Sequence, residues 1–180
     1  MTSSIRIEGD VKHKSSQPQS EQDEEANQPE ARDVNPPPRA NAEPWNLRVL
    51  VLEDSGSDYY WISSMLTRLD EYDVRPARAI TIAEAAELTA TQVFDLALID
   101  YRLPDGFGDA FVATLHMHQP NCAAVMLSGD KMPEVSLFGL NGGAVAAIDK
   151  DDCNPTLMET TIRFALRNHA NQERLRQAPI

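Results

Sequence analysis

Four places in the chain set side chains able to handle a charged group at the end of an apolar run. "LRVLVL" leads into Glu53 and Asp54, "FDLALI" into Asp100, "CAAVMLS" ends in Ser128, and "AVAAI" is followed by Asp149 and Lys150. Adjacent carboxylates at the end of a strand repel each other. Three of them within ~4–5 Å would cost about 3–4 kcal/mol per pair at an effective dielectric near 20. One lysine does not neutralise Glu53, Asp54 and Asp100 together. A hard divalent cation does, and carboxylate oxygens completed by water are what Mg²⁺ prefers.

This reading requires the runs to end at one rim. The pattern from Leu47 onward is short apolar runs alternating with helix-like segments, which specifies an open α/β sheet of parallel strands with helices on both faces. In such sheets functional groups collect at the carboxyl ends of the strands. "LRVLVL" is apolar almost throughout, as suits a strand covered on both faces. "VRPARA" is a further strand, and Pro76, lacking a ladder donor, places it at an edge. Ile62, Met65, Leu66 and Leu69 fall at helical spacing. Thr81 with Glu84 forms a capping box for the helix "IAEAAELTA". Residues Asp109 to Met117 make a third helix, and "MPEVSLFGL" (132–140) makes a short, weak one before the "NGG" turn. Asn154 followed by Pro155 opens a last helix, with Glu159, Arg163 and Arg167 at i, i+4 spacing.

Residues 1–45 form a separate segment. They hold Pro18, Pro29, Pro36, Pro37, Pro38 and Pro44, an acidic cluster and few large apolar residues. Such a stretch buries too little apolar surface to offset the entropy of ordering, and reads as a disordered tether. The foldable part runs from 46 to 170, and 171–180 is the end of the last helix with a short tail. A net charge of −12, from 28 acidic and 16 basic residues, disfavours nucleic-acid binding. No signal peptide or membrane-length apolar run is visible, so the expected location is the cytoplasm without membrane insertion. Cys122 and Cys153 lack metal-ligand spacing and read as ordinary thiols. The loop after the first strand opens with carboxylates, and no P-loop or G-x-G-x-x-G signature occurs, which sets aside a flavin or nucleotide site.

The blocks "RVLVLEDSGSD", "FDLALIDYRLPDGFGDA", "VMLSGD" and "GGAVAAIDK", in that order, resemble the receiver domain of two-component response regulators. The resemblance spans about Leu47 to His169. It implies a flavodoxin-like receiver fold with a five-stranded parallel doubly wound sheet in strand order 2-1-3-4-5. Asp100 would be the phosphoacceptor, supplied by a histidine kinase or histidine phosphotransfer protein. Glu53, Asp54, Asp100 and the backbone carbonyl of Arg102 would hold Mg²⁺, while Ser128 and Lys150 would meet the phosphoryl oxygens. With only a short segment after the last helix, the expectation is a stand-alone receiver without a DNA-binding output domain. It would signal to a downstream protein target and would not be an enzyme in the ordinary sense.

Two departures from the family pattern bear on output. Ala147 stands where the family usually has an aromatic residue whose rotamer follows phosphorylation, and Asp151 stands where proline usually follows the lysine. They motivate the alternative of a pseudo-receiver adaptor that binds its partner independently of phosphorylation. Arg102 and Asp130, two residues beyond Asp100 and Ser128, are candidates for a pair gating water at the site mouth. Asp58 reads as a solvated acid heading a helix. Among Tyr59, Tyr60 and Trp61 at least one must be exposed, and Trp61 is either a docking residue or, the preferred reading, partly buried against the sheet edge. His116, His118 and His169 read as surface residues.

Overall fold

The computed structural model describes residues 44–129 and 143–177. The expectations for the tail through residue 43, for the 132–140 helix and for Asp130 lie outside the described residues.

Alternation builds the sheet. In β1 (Trp45–Leu52), Leu47, Val49 and Val51 turn to one face and Leu50 and Leu52 to the other, all fully buried. Parallel to β1 run β2 (Tyr72–Ala79) on one side and β3 (Leu96–Asp100) on the other. Next come β6 (Ala123–Ser128) and β7 (Ala146–Asp149), giving five strands in the order β2-β1-β3-β6-β7. That is the expected 2-1-3-4-5 arrangement. Pro76 does lie on an edge strand, in register with Val49. A small antiparallel pair, β4 (Arg102–Leu103) with β5 (Gly106–Phe107), forms the loop after Asp100.

Helices cover both faces. On the first lie α1 (Gly56–Leu66), through Ile62, Met65 and Leu66, and α4 (Pro155–Gln177), through Met158, Ile162, Ala165 and Leu166. On the second lie α2 (Ile82–Thr91), through Ala85, and α3 (Gly108–His118), through Phe111, Val112 and Leu115. At roughly 1.5–3 kcal/mol per fully buried large apolar side chain, these two layers supply the main favourable term of folding.

The helix starts follow their sequence signals. The Leu157 amide donates to Asn154 Oδ1 at 3.0 Å and the Glu84 amide to Thr81 Oγ1 at 3.1 Å. The reciprocal bond of the capping box is displaced by one residue, because Glu84 Oε2 accepts from the Ile80 amide at 2.8 Å. At the start of α2, Asp105 of the β4–β5 loop accepts from the Ile82 and Ala83 amides at 2.9 and 3.0 Å. Both bonds place a carboxylate at a helix N-terminus, where it is favoured. On α4, Arg163 pairs with Glu159 at 2.9 Å and also with Glu71.

Candidate functional site

The same alternation aims the charged side chains. Residues 49 and 51 of β1, 96 and 98 of β3, and 148 of β7 belong to the layer under α1 and α4. Counting on by two puts Glu53, Asp100 and Lys150 on that face at the strands' carboxyl ends. There Lys150 Nζ lies 2.7 Å from Glu53 Oε2, 2.7 Å from Asp100 Oδ1 and 3.0 Å from Asp58 Oδ2. Ser128 has the opposite parity, yet as the last residue of β6 it lines the same open cleft of about 430 Å³. Asp54, Ser55, Arg102 and Gly129 complete the lining.

Glu53, Asp54 and Asp100 each bring a carboxylate oxygen within 4.8 Å of the other two. Glu53 and Asp100 are buried, at 1% and 6% exposure, whereas Asp54 is exposed toward solvent. Such an all-oxygen set, open on one side, suits a hard cation that keeps some of its water. Burial raises the pKa of Glu53 and of Asp100, with Lys150 pulling both back down. Burial by itself would lower Lys150, but hydrogen bonds to Asp100 and Glu53 outweigh it and hold the ammonium charged.

Backbone contacts fix the carboxylates. Asp100 Oδ2 accepts from the Arg102 amide at 3.2 Å, and Glu53 Oε1 from the Ser55 amide at 3.1 Å. From the edge strand, Arg78 donates to the Glu53 carbonyl at 3.1 Å and to the Asp54 carbonyl at 2.8 Å. Its guanidinium carbon also sits 4.9 Å over the Tyr59 ring. After Asp100 the chain folds back so tightly that a Cβ at Gly108 would come 2.2 Å from the Asp100 carbonyl oxygen. No side chain fits there.

The structure thus brings Glu53, Asp54, Asp100, Arg102, Ser128 and Lys150 to one cleft. It also brings Asp58 there and ties Arg78 to the backbone beneath, two residues that the sequence reading left out of the site. Asp58, read as a solvated helix acid, reaches Lys150 instead, since Ser55 is the residue that caps α1. Arg78 carried no local signal, because its partners are backbone carbonyls 24 and 25 residues away. Its place at the carboxyl end of β2 was the available clue.

Elsewhere, Tyr60 is the exposed aromatic of its trio at 77%, while Trp61 is half-buried against the core. His116 is not a plain surface residue: it is half-buried, and its Nε2 lies 3.1 Å from the Cys122 carbonyl oxygen. Cys122 is buried and Cys153 half-buried, both as free thiols. Among the described residues no helix is long and apolar enough to cross a membrane.

Comparison with known proteins agrees with this geometry. The chain is 30% identical over 103 residues to the response regulator protein PilR of Pseudomonas aeruginosa. That match covers 57% of this chain and about a fifth (22%) of the length of PilR. A CheY-like response regulator receiver domain from Methanospirillum hungatei superposes with a TM-score of 0.61 at 28% identity, covering 70% of this chain and 98% of that one. A response regulator from Burkholderia pseudomallei, solved with a phosphorylated aspartic acid, a calcium ion and citrate, shares the fold with a TM-score of 0.56 at 23% identity, covering 73% of each chain. Residues 49–162 match the family described as the response regulator receiver domain, and with that share of its length inside the match this chain belongs to that family of two-component signalling proteins.

Proposed function

We propose that this domain is a phosphoacceptor of a His-Asp relay, with Asp100 as the residue that is phosphorylated. The observation that carries the reading is the Asp100 carboxylate itself, which lies in an open cleft between the Lys150 ammonium and the Glu53–Asp54 pair. The phosphorylated aspartic acid of the Burkholderia protein, which shares the fold, supports it.

A carboxylate oxygen of Asp100 attacks the phosphorus of a phosphohistidine. The new P–O bond forms as the P–N bond breaks, and the departing imidazole keeps the electron pair. Such a transfer asks the protein for positioning and charge neutralisation rather than covalent help. Glu53, Asp54, Asp100 and the Arg102 carbonyl would hold Mg²⁺, which when bound offsets the charge of the incoming phosphoryl oxygens. Lys150 neutralises a further oxygen and the Ser128 hydroxyl donates to another. Arg102, exposed at the mouth, limits access of the water that hydrolyses the acyl phosphate. The phosphodonor is a histidine kinase or histidine phosphotransfer protein, the output is a change in binding to a downstream protein, and the setting is the cytoplasm.

A second reading, an adaptor that works without phosphate, is favoured by one observation. Ala147 sits in β7 beside Met126, where it has no rotamer to change with phosphorylation. Incubation with a small radiolabelled acyl phosphate and MgCl₂ separates the two. The phosphoacceptor takes up label that is lost in Asp100→Asn and on chelation, and Arg102→Ala alters the decay of the label. Absence of Mg²⁺-dependent uptake leaves the adaptor.

A further inference from the structure

An ammonium group has three N–H bonds, and in Lys150 each already has a carboxylate, on Glu53, Asp100 and Asp58. The first two belong to the function proposed above. Asp58 does not: it stands in the first turn of α1, where Ser55 rather than Asp58 is the cap. One of its oxygens faces Lys150 at 3.0 Å and the other accepts from the Ser57 hydroxyl at 3.4 Å.

Resting on the phosphoacceptor reading, we propose that Asp58 is a positioning residue acting through Lys150: it holds the ammonium in the resting cleft and releases it to the phosphoryl group. New phosphoryl oxygens on Asp100 meet an ammonium whose donors are all committed, so one bond must be given up. Phosphorylation turns the Asp100 carboxylate into a neutral acyl group, so its own bond to Lys150 passes to a phosphoryl oxygen. Reaching a second phosphoryl oxygen takes a donor from Glu53 or Asp58. Releasing Glu53, whose side chain is 1% exposed, would leave a carboxylate oxygen without its hydrogen bond where water does not reach it. The Asp58 side chain is 39% exposed, so water replaces the lysine there at least cost. The exchange also frees the first turn of α1, joining that helix to the state of Asp100.

The charge of Asp58 acts on both ligands of the cleft, with opposite signs. Removing it makes the cleft less negative and leaves Lys150 leaning wholly on Glu53 and Asp100, which opposes a cation and favours an anion. In the full chain, Asp58→Asn is expected to raise the Kd for MgCl₂ by about five- to tenfold in a calorimetric titration. At saturating MgCl₂ it is expected to speed the initial labelling by acetyl phosphate by a similar factor. Asp58→Glu, which keeps the charge, returns both toward wild type. A merely structural fault would weaken magnesium binding and labelling together, so a joint loss overturns the proposal, as does a variant equal to wild type. If wild type labels normally and Asp58→Asn matches it, only this proposal fails. If wild type takes up neither magnesium nor phosphoryl, the phosphoacceptor reading falls with it.

Discussion

Two buried acidic residues at opposite ends of the same strand are treated in opposite ways. At the amino end of β3, Asp95 is 6% exposed and fully matched. Arg48 grips it with Nε at 3.0 Å and Nη2 at 2.9 Å, and the Arg48 amide donates to it at 3.0 Å. At the carboxyl end, Asp100 is equally buried, but shares the Lys150 ammonium with Glu53 and Asp58 and has Asp54 close by. One rim is an ion pair closed on itself. The other carries more negative charge than its lysine cancels, an excess that the proposed cation would offset.

The contrast can be broken by substitution. Asp95→Ala removes the carboxylate gripped by a bidentate arginine fork and should cost about 3–4 kcal/mol in urea unfolding, with or without Mg²⁺. A loss below about 1 kcal/mol would put Asp95 on the same footing as a surface acid. Asp100→Asn should behave differently. Without Mg²⁺ the variant should be at least as stable as wild type, since a repelling charge is gone. With Mg²⁺ at about tenfold over its Kd, wild type should gain on the order of 1 kcal/mol that the variant does not. Equal Mg²⁺ stabilisation of both proteins would show that the ion does not need Asp100.

The smallest effect is in pH. Glu53 and Asp100 have folded pKa values raised by burial above their ordinary 4.5 and 3.8, so the native state binds more protons than the unfolded chain in that range. Stability of the Mg²⁺-free protein therefore rises as pH falls from the raised values toward the ordinary ones, and Tm rises with it. Asp58 works the other way. Burial pushes it up, but Lys150 and the two serines outweigh that and lower it below 3.8, so its contribution is lost only at still lower pH. Thermal melts in EDTA between pH 4 and 7 read the slope, and saturating Mg²⁺ should flatten it. A Tm that climbs with pH in EDTA would contradict the assignment.

Much of this was legible along the chain because it depends on neighbours. Apolar runs, the edge proline at Pro76, and the Asn154 and Thr81 caps are local signals, and parallel strands then force the strand-end residues onto one rim. What escaped was side-chain pairing across the fold. Arg48 meets Asp95 47 residues away. Asp58 meets Lys150 92 residues away. Buried Gln119 bonds the Thr89 and Gln92 carbonyls and the Phe94 amide, joining the ends of α2 and α3 to the start of β3. No periodicity announces such bonds. They depend on register and on how far a side chain reaches.

The loop after Asp100 is anchored at both ends. Asp105 grips the start of α2, and Gly108 is pressed against the carbonyl of Asp100 with no room for a methyl group. Between these anchors Phe107 leans its ring on Tyr101, with centroids 5.2 Å apart, while half its surface faces water. The arrangement works like a jig: residues on the outer side of the bend are free to vary in shape and taste for a partner, while the carboxylate beneath keeps its aim.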